Sequence, residues 1–161
     1  TLRAECDAVL TGGNTVRLDN PSLTIRKPDR PVSPLKEQPW RIILTHDASS
    51  IPADSICLTD EFRDRTLVVE NVFNYLELLK KLYNNKKIGT ILLEAGGCLV
   101  REFLKAGLVD EWVGFYAPII IGGGTDGVAP GPFLEHEAHL EQPVVNIFGD
   151  DVCIRGDICY R

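Results

Sequence analysis

The chain contains no methionine. It opens on Thr1-Leu2-Arg3-Ala4, which has the character of a helix tail, so the expectation is a piece of a longer polypeptide with some of its machinery upstream. The five cysteines (Cys6, Cys57, Cys98, Cys153 and Cys159) are odd in number and scattered, and no Cys-x-x-Cys pair occurs. That pattern argues against a zinc site or a disulfide framework and suits a reducing cytoplasm. No apolar run approaches the roughly 20 residues that span a bilayer, and no signal-peptide pattern occurs. With a net charge of -6 there is no broad electrostatic footprint for nucleic acid, although a local basic pocket for a phosphorylated small molecule is compatible with it. Histidine is scarce: His46, His136 and His139 all fall in expected loops. Cys98, beside a glycine turn at a helix start, therefore lacks the base that a nucleophilic thiol wants. Neither Gly-x-Gly-x-x-Gly nor a P-loop lysine occurs, which sets aside the common dinucleotide and nucleoside-triphosphate fingerprints.

What is present is an ordinary globular balance, 44% hydrophobic and 25% charged over 161 residues, enough for one domain, 1–161, with a real core. Apolar runs at Asp7–Leu10, Trp40–Thr45, Thr66–Val69, Ile91–Leu93 and Trp112–Ala117 read as strands, and Ser22–Arg26 as an extended segment. Lys27 to Pro39 carries four prolines and reads as a surface loop. Phe73 to Tyr83 is the clearest helix, with Asn71 as its N-cap, Asn84-Asn85 closing it and a stripe of Val72, Leu76, Leu79 and Tyr83. Ile119–Ile121 runs into Gly122-Gly123-Gly124, either a ligand loop or a linker. Val144–Phe148 and Val152–Tyr160 alternate around Gly149-Asp150 as a terminal hairpin. The order implies an α/β domain with a mostly parallel central sheet flanked by helices, and antiparallel strands at its edge.

Two strands run into glycine turns. One gives Thr11-Gly12-Gly13-Asn14-Thr15; the other, Thr90 to Leu108, gives Glu94-Ala95-Gly96-Gly97 and opens directly into a helix that Ala106-Gly107-Leu108 stops in Schellman fashion. Such a turn is either a cradle for phosphate at a helix N-terminus or a plain βα connection. If the two strands are neighbours, their carboxyl ends make one cleft. Three features then converge there: the glycine turns, the carboxylates Asp19 and Glu94, and Arg26, a guanidinium suited to a phosphate. Each also has a structural alternative, an Asx turn at Asp19-Asn20-Pro21, a buried-amide partner for Glu94, and a solvated surface charge at Arg26.

The combination resembles a known family. Leu2-Arg3-Ala4 and Asp7–Gly12, then Thr15-Val16 through Asp19-Asn20-Pro21-Ser22-Leu23-Thr24-Ile25-Arg26, are similar to the riboflavin-biosynthesis reductase domain, the C-terminal half of the bifunctional deaminase–reductase. Glu94–Gly97, Phe103–Glu111 and Ala117-Pro118 match its second signature, and the likeness spans nearly the whole chain in order. The resemblance implies a dihydrofolate-reductase-like fold and NADPH-dependent reduction of the ribosyl chain of 5-amino-6-(5-phosphoribosylamino)uracil to ribityl. It places Thr15 and Asp19 beside the nicotinamide and ribosyl group, and Leu23, Arg26 and Glu94 against the substrate with Arg26 on its 5′-phosphate. Gly96, Gly97, Cys98, Leu99 and Val100 would lie along the cofactor's pyrophosphate, and Asp19 and Glu94 would be the catalytic carboxylates. A homodimer is implied as well, without nucleic-acid or membrane partners.

Two departures stand out. The family's first strand and adjoining helix are missing, and the position after the Trp40–Leu44 strand, often serine and near the cofactor, is His46. That leaves the grip on the NADPH 2′-phosphate open. No His-x-Glu with Pro-Cys-x-x-Cys occurs, so a deaminase domain would have to lie upstream. The competing expectations are a paralogous reductase acting on the non-deaminated diaminopyrimidine or a pterin-like compound, and a ligand-binding module without chemistry.

Overall fold

The computed structural model describes residues 2–26, 37–120, 134 and 136–161. It divides into two compact units, one through Leu99 and one from Val100 to Arg161. In the first, α1 (Leu2–Glu5), β1 (Ala8–Gly12), α2 (Gly13–Asp19), β2 (Trp40–Thr45), α3 (Ile56–Thr59), β3 (Thr66–Glu70), α4 (Tyr75–Lys86) and β4 (Ile91–Leu93) build a four-stranded parallel sheet in the order β3-β2-β1-β4. Ala8, Val9, Leu10 and Thr11 of β1 are fully buried, as a central parallel strand covered on both faces requires. From β1 the chain adds β2 and β3 on one side, then returns to lay β4 on the other, pairing Ala8 with Ile91 and Leu10 with Leu93. The order of strands therefore reverses between β1 and β4, and the crevice outside their carboxyl ends is where open α/β sheets take ligands.

On one face of this sheet Val16, Ile43, Ile51 and Cys57 form an apolar cluster, with Leu58 and Val68 packed against it. Burial pushes the Cys57 thiol up, so this cysteine is a core residue rather than a reactive one. Gly13 makes the close packing possible: a Cβ there would sit 3.0 Å from Ile51 Cδ1 and from Thr45 Cβ and Oγ1. The same face carries a charge, since Arg41 of β2 is 1% exposed and donates from Nη1 and Nη2 to the two oxygens of Asp60 at 2.7 and 2.9 Å. At the opposite, amino-terminal ends of the strands the Trp40 ring lies under two cations, the Arg65 guanidinium at 5.0 Å and the Lys86 ammonium at 4.4 Å.

Helix α4 differs from its expected form. Asn74, not Asn71, caps it, its Oδ1 accepting from the Glu77 amide at 3.0 Å; Asn71 instead has a left-handed φ of 51°. The buried stripe is Leu78 and Leu82, while Leu76 and Tyr83 are 47% and 57% exposed. The later start and the new stripe turn the apolar face about one position round the helix, roughly 100°. The helix runs past Asn84-Asn85 to Lys86, where Lys87 (φ 57°) closes it.

In the second unit β5 (Glu111–Tyr116), β6 (Ala138–Phe148) and β7 (Asp151–Tyr160) form a separate antiparallel sheet in the order β5-β7-β6. The expected hairpin is there with Gly149 at φ 63°, and β6 starts earlier than expected, at Ala138. Gln142 (φ 45°) marks a bulge between Glu141 and Val144. Helix α5 (Gly97–Lys105) ends in the expected Schellman arrangement: Leu108 donates to Phe103 O and Gly107, at φ 66°, to Leu104 O, both at 3.0 Å. Ile119 and Ile120 form no strand, and the glycine loop from Gly122 lies outside the described residues, as does most of the proline-rich segment, 27–36.

Two outcomes follow from this packing. Gly13→Ala should lower stability by about 1–2 kcal/mol in urea unfolding, because Thr45 cannot retreat without disturbing β2. The Arg41 hydrogen bonds hold the Asp60 carboxyl below its ordinary value of 3.8. A depressed carboxyl takes up protons more readily once unfolded, so its contribution is complete above the ordinary value and fades as pH falls through the lower native one. The stability lost in Asp60→Asn should therefore be large at neutral pH and shrink below about pH 4.

Candidate functional site

The crevice at the β1–β4 switch point is built from four pieces of the first unit. The Glu94 amide donates to Leu10 O at 3.0 Å, extending the β1–β4 ladder one residue beyond β4 and setting the Glu94 side chain at the crevice edge. There it meets Arg3 of α1 in a two-pronged pair, Nε to Oε2 at 2.9 Å and Nη2 to Oε1 at 2.5 Å. The third Arg3 contact, Nη1 to Thr24 O at 2.8 Å, reaches the segment from Pro21 to Arg26. One guanidinium thus ties the end of β4 to the opposite wall.

That wall was expected to be extended and is instead irregular. Its backbone groups have no strand partner, so side chains serve them: Arg41 Nη1 donates to Ser22 O (3.1 Å), Arg3 to Thr24 O, and the Ile25 amide to Gln38 Oε1 (2.7 Å). Leu23 has a left-handed φ of 55° and is 1% exposed, so only its backbone is available to a ligand. Arg26 is exposed and makes no ion pair among the described residues.

The third piece is α2, which leaves the end of β1 directly. Thr15, Leu18 and Asp19 share a helical face by their spacing; Thr15 is half-buried, Asp19 exposed, and Leu18 is 74% exposed, an unusual position for leucine. The turn after Asp19 is real but belongs to its neighbour: Asn20, at φ 42°, accepts the Ile56 amide at 2.8 Å and so anchors α3. The Asp19 side chain makes no hydrogen bond or ion pair among the described residues.

The second glycine turn completes the crevice. A Cβ on Gly96 would meet nothing within 4 Å, whereas one on Gly13 is blocked by protein. The two turns therefore differ: packing requires glycine at Gly13, whereas at Gly96 the backbone borders open space. Gly97, Cys98, Leu99 and Val100 form the first turn of α5, with the Leu99 amide folded back onto Gly96 O at 3.0 Å and Cys98 exposed. The turns are adjacent, since a Cβ on Gly12 would lie 3.8 Å from Leu99 Cδ2. At the end of β2, His46 is exposed. Beyond it Asp47 accepts from the Ser49 amide (2.9 Å) and hydroxyl (2.7 Å), which hold its carboxyl below the usual range. Arg17 brings a cation to this corner, donating to Ser50 Oγ at 2.7 Å.

Residues 1–154 match the family model described as the RibD C-terminal domain. The chain belongs to this family. It is 34% identical over 126 residues to the riboflavin biosynthesis protein RibD of Mycobacterium tuberculosis, covering 78% of this chain and 34% of that protein. It is 32% identical over 141 residues to the 2,5-diamino-6-ribosylamino-4(3H)-pyrimidinone 5′-phosphate reductase of Aquifex aeolicus, covering 76% and 61%. Among solved structures, Acinetobacter baumannii RibD superposes with a TM-score of 0.82 at 25% identity over 98% of this chain and 48% of that one. The chain thus spans a third to about half of the RibD relatives it matches. Its fold is that of RibD reductase domains, dihydrofolate-reductase-like.

As a RibD C-terminal domain the chain carries three site-building residues that its sequence alone did not single out. Arg3 stood inside the signature but had no assigned task, and its spacing from Glu94, 91 residues on, gave no hint of pairing. Arg41 and Gln38 flank Trp40 in what reads as a strand start, and nothing local marks them as partners of residues 22–25. Gly96→Ala tests the difference between the two turns. It should leave the urea midpoint nearly unchanged, where Gly13→Ala lowers it.

Proposed function

We propose that the chain is a reductase domain of riboflavin biosynthesis, reducing the ribosyl chain of 5-amino-6-(5-phosphoribosylamino)uracil to the ribityl product with NADPH as hydride donor. The observation that supports the proposal is the Arg3–Glu94 pair at the β1–β4 switch point, which ties the carboxyl end of β4 to the segment carrying Leu23 and Arg26 in a chain that matches the RibD C-terminal domain. The Gly96 turn fits a dinucleotide: the space beside its Cα is open, and the amides of Gly97 and Cys98 begin a nine-residue helix with a favourable dipole for pyrophosphate. Bound NADPH would supply the hydride.

The chain's own residues would do the rest. Arg26 holds the substrate's 5′-phosphate, its guanidinium uncommitted among the described residues. The Leu23 backbone and Glu94 orient the sugar chain once the ring has opened to an imine. Hydride reaches the ribosyl C1′, and the electron pair released onto the imine nitrogen takes a proton from Asp19 or from a water that it holds. Thr15, one turn before Asp19, lines the nicotinamide side.

A second substrate has its own support, because the Aquifex relative is named for the non-deaminated pyrimidinone and the chain covers 61% of it. A deaminase domain upstream belongs to the first reading, supported by the share of the RibD relatives that the chain leaves uncovered. No described helix is long and apolar enough to cross a membrane, and a cytoplasmic location accords with the free cysteines. Homodimer formation is part of the proposal: Phe115, Val144 and Phe148 share one face of the antiparallel sheet and are 57% to 60% exposed, an apolar surface that a second copy would cover.

The decisive experiment follows NADPH oxidation by the full-length protein with the deaminated and the non-deaminated ribosylamino-pyrimidine phosphates. Turnover with the first should exceed that with the second; no oxidation with either would overturn the proposal. In the active protein Arg26→Ala should raise the substrate KM about tenfold or more while leaving NADPH affinity nearly unchanged. Equal loss of both would remove Arg26 from the phosphate.

A further inference from the structure

We infer that the buried Arg41–Asp60 pair is a positioning device for the substrate wall: it grips the Ser22 carbonyl and thereby sets the left-handed turn at Leu23 and the placement of Arg26. The inference rests on the proposed assignment of Leu23 and Arg26 to the substrate.

Arg41 sits in register with Val9 of β1 and Thr66 of β3, inside the sheet rather than at its rim. A guanidinium at 1% exposure is costly to desolvate, and apolar side chains fill such positions at least as stably. What an apolar side chain cannot do is donate to a backbone carbonyl in a neighbouring irregular segment. Arg41 does this: Nη1 serves both Asp60 Oδ2 (2.7 Å) and Ser22 O (3.1 Å). Asp60 fixes the direction of that donor by taking Nη2 on its other oxygen at 2.9 Å, and Oδ1 is itself held by the Phe62 amide at 3.1 Å. The guanidinium plane is therefore set at both ends before it meets Ser22.

The recipient segment needs such a grip. A left-handed φ on a branched, non-glycine residue is unfavourable and persists only where its surroundings over-determine it. Leu23 is clamped on each side: Ser22 O by Arg41, Thr24 O by Arg3, the Ile25 amide by Gln38, and its own side chain by burial. Of these clamps, only Arg41 connects the wall to the far side of β2, at a carboxylate that touches neither substrate nor cofactor in the proposed site. Release of Ser22 would let the peptide before Leu23 rotate and swing Arg26 away from the phosphate, leaving the Gly96 turn untouched.

The test uses the full-length protein and the variants Asp60→Asn, Asp60→Glu and Arg26→Ala, all assayed well below their unfolding midpoints. Both Asp60 variants should raise the substrate KM, by about tenfold for Asp60→Asn and less for Asp60→Glu, with kcat and NADPH affinity within about twofold of the parent. Hydrogen exchange should quicken at the amides of Leu23 to Ile25 while those of β1 keep their protection, which a general loss of stability would not produce. If Asp60→Asn does not stay folded, Asp60→Glu carries the same comparison. Folded Asp60 variants with the parent's KM and unchanged exchange at residues 23–25 would overturn the inference while Arg26→Ala still raised KM. A parent without turnover, or an Arg26→Ala variant with unchanged KM, would instead bring down the functional proposal, and this inference with it.

Discussion

The site depends on a simple constraint: residues 21–26 must lie beside the sheet without joining it. An irregular segment has no ladder to absorb its carbonyls and amides, and burying them unpaired costs roughly 1–3 kcal/mol each. The chain meets this with long polar side chains sent from elsewhere, Arg3 from α1, Arg41 from β2 and Gln38 from the residues before it. Each supporting residue also reaches a second part of the fold or adjoins one. Arg3 reaches Glu94 at the end of β4, Arg41 reaches Asp60 after α3, and Gln38 leads directly into β2. The wall is thus referenced to two strands, β4 and β2, and to the connection at Asp60, which is how a segment without secondary structure can still hold a fixed geometry.

The parallel sheet supplies the frame for this arrangement. Because β1 is central, its carboxyl end receives α2 on one course of the chain and the β4 turn on another. Gly13 lets α2 pack close enough for Val16 to join the core, so Thr15 and Asp19 are carried outward on a short, well-seated helix. Gly96 has no packing partner to satisfy. The contrast separates a glycine needed by the fold from one at which packing sets no demand.

Much of this was legible in the sequence and some was not, for identifiable reasons. Strand β2 has the expected ends, and the Schellman stop after α5 is found as written, because both are encoded in local pattern. The neighbouring of β1 and β4 was conditional in the sequence, since strand order is a long-range property, and the pairing of Leu10 with Leu93 resolves it. The α4 stripe was displaced because Val72 and Leu76 mimic a helical repeat that the Asn74 cap starts too late to use. Residues 22–26 alternate like a strand, yet Leu23 adopts a left-handed φ that only its distant clamps explain. Arg3, Arg41 and Gln38 were illegible for the same reason: a side chain's partner 13 to 91 positions away leaves no periodic trace.

The geometry also separates the roles of the two candidate carboxylates in the proposed reaction. Glu94 is committed, its two oxygens each taken by Arg3 in a charge-assisted pair. Its remaining lone pairs can still accept hydrogen bonds without breaking that pair. Asp19 stands under the opposite condition, exposed at the end of α2 with no described partner. In the proposed reaction Glu94 would therefore serve to orient the substrate, and Asp19 is the carboxylate that the fold leaves unclaimed. This division follows from which carboxylate the protein has already claimed for its own structure.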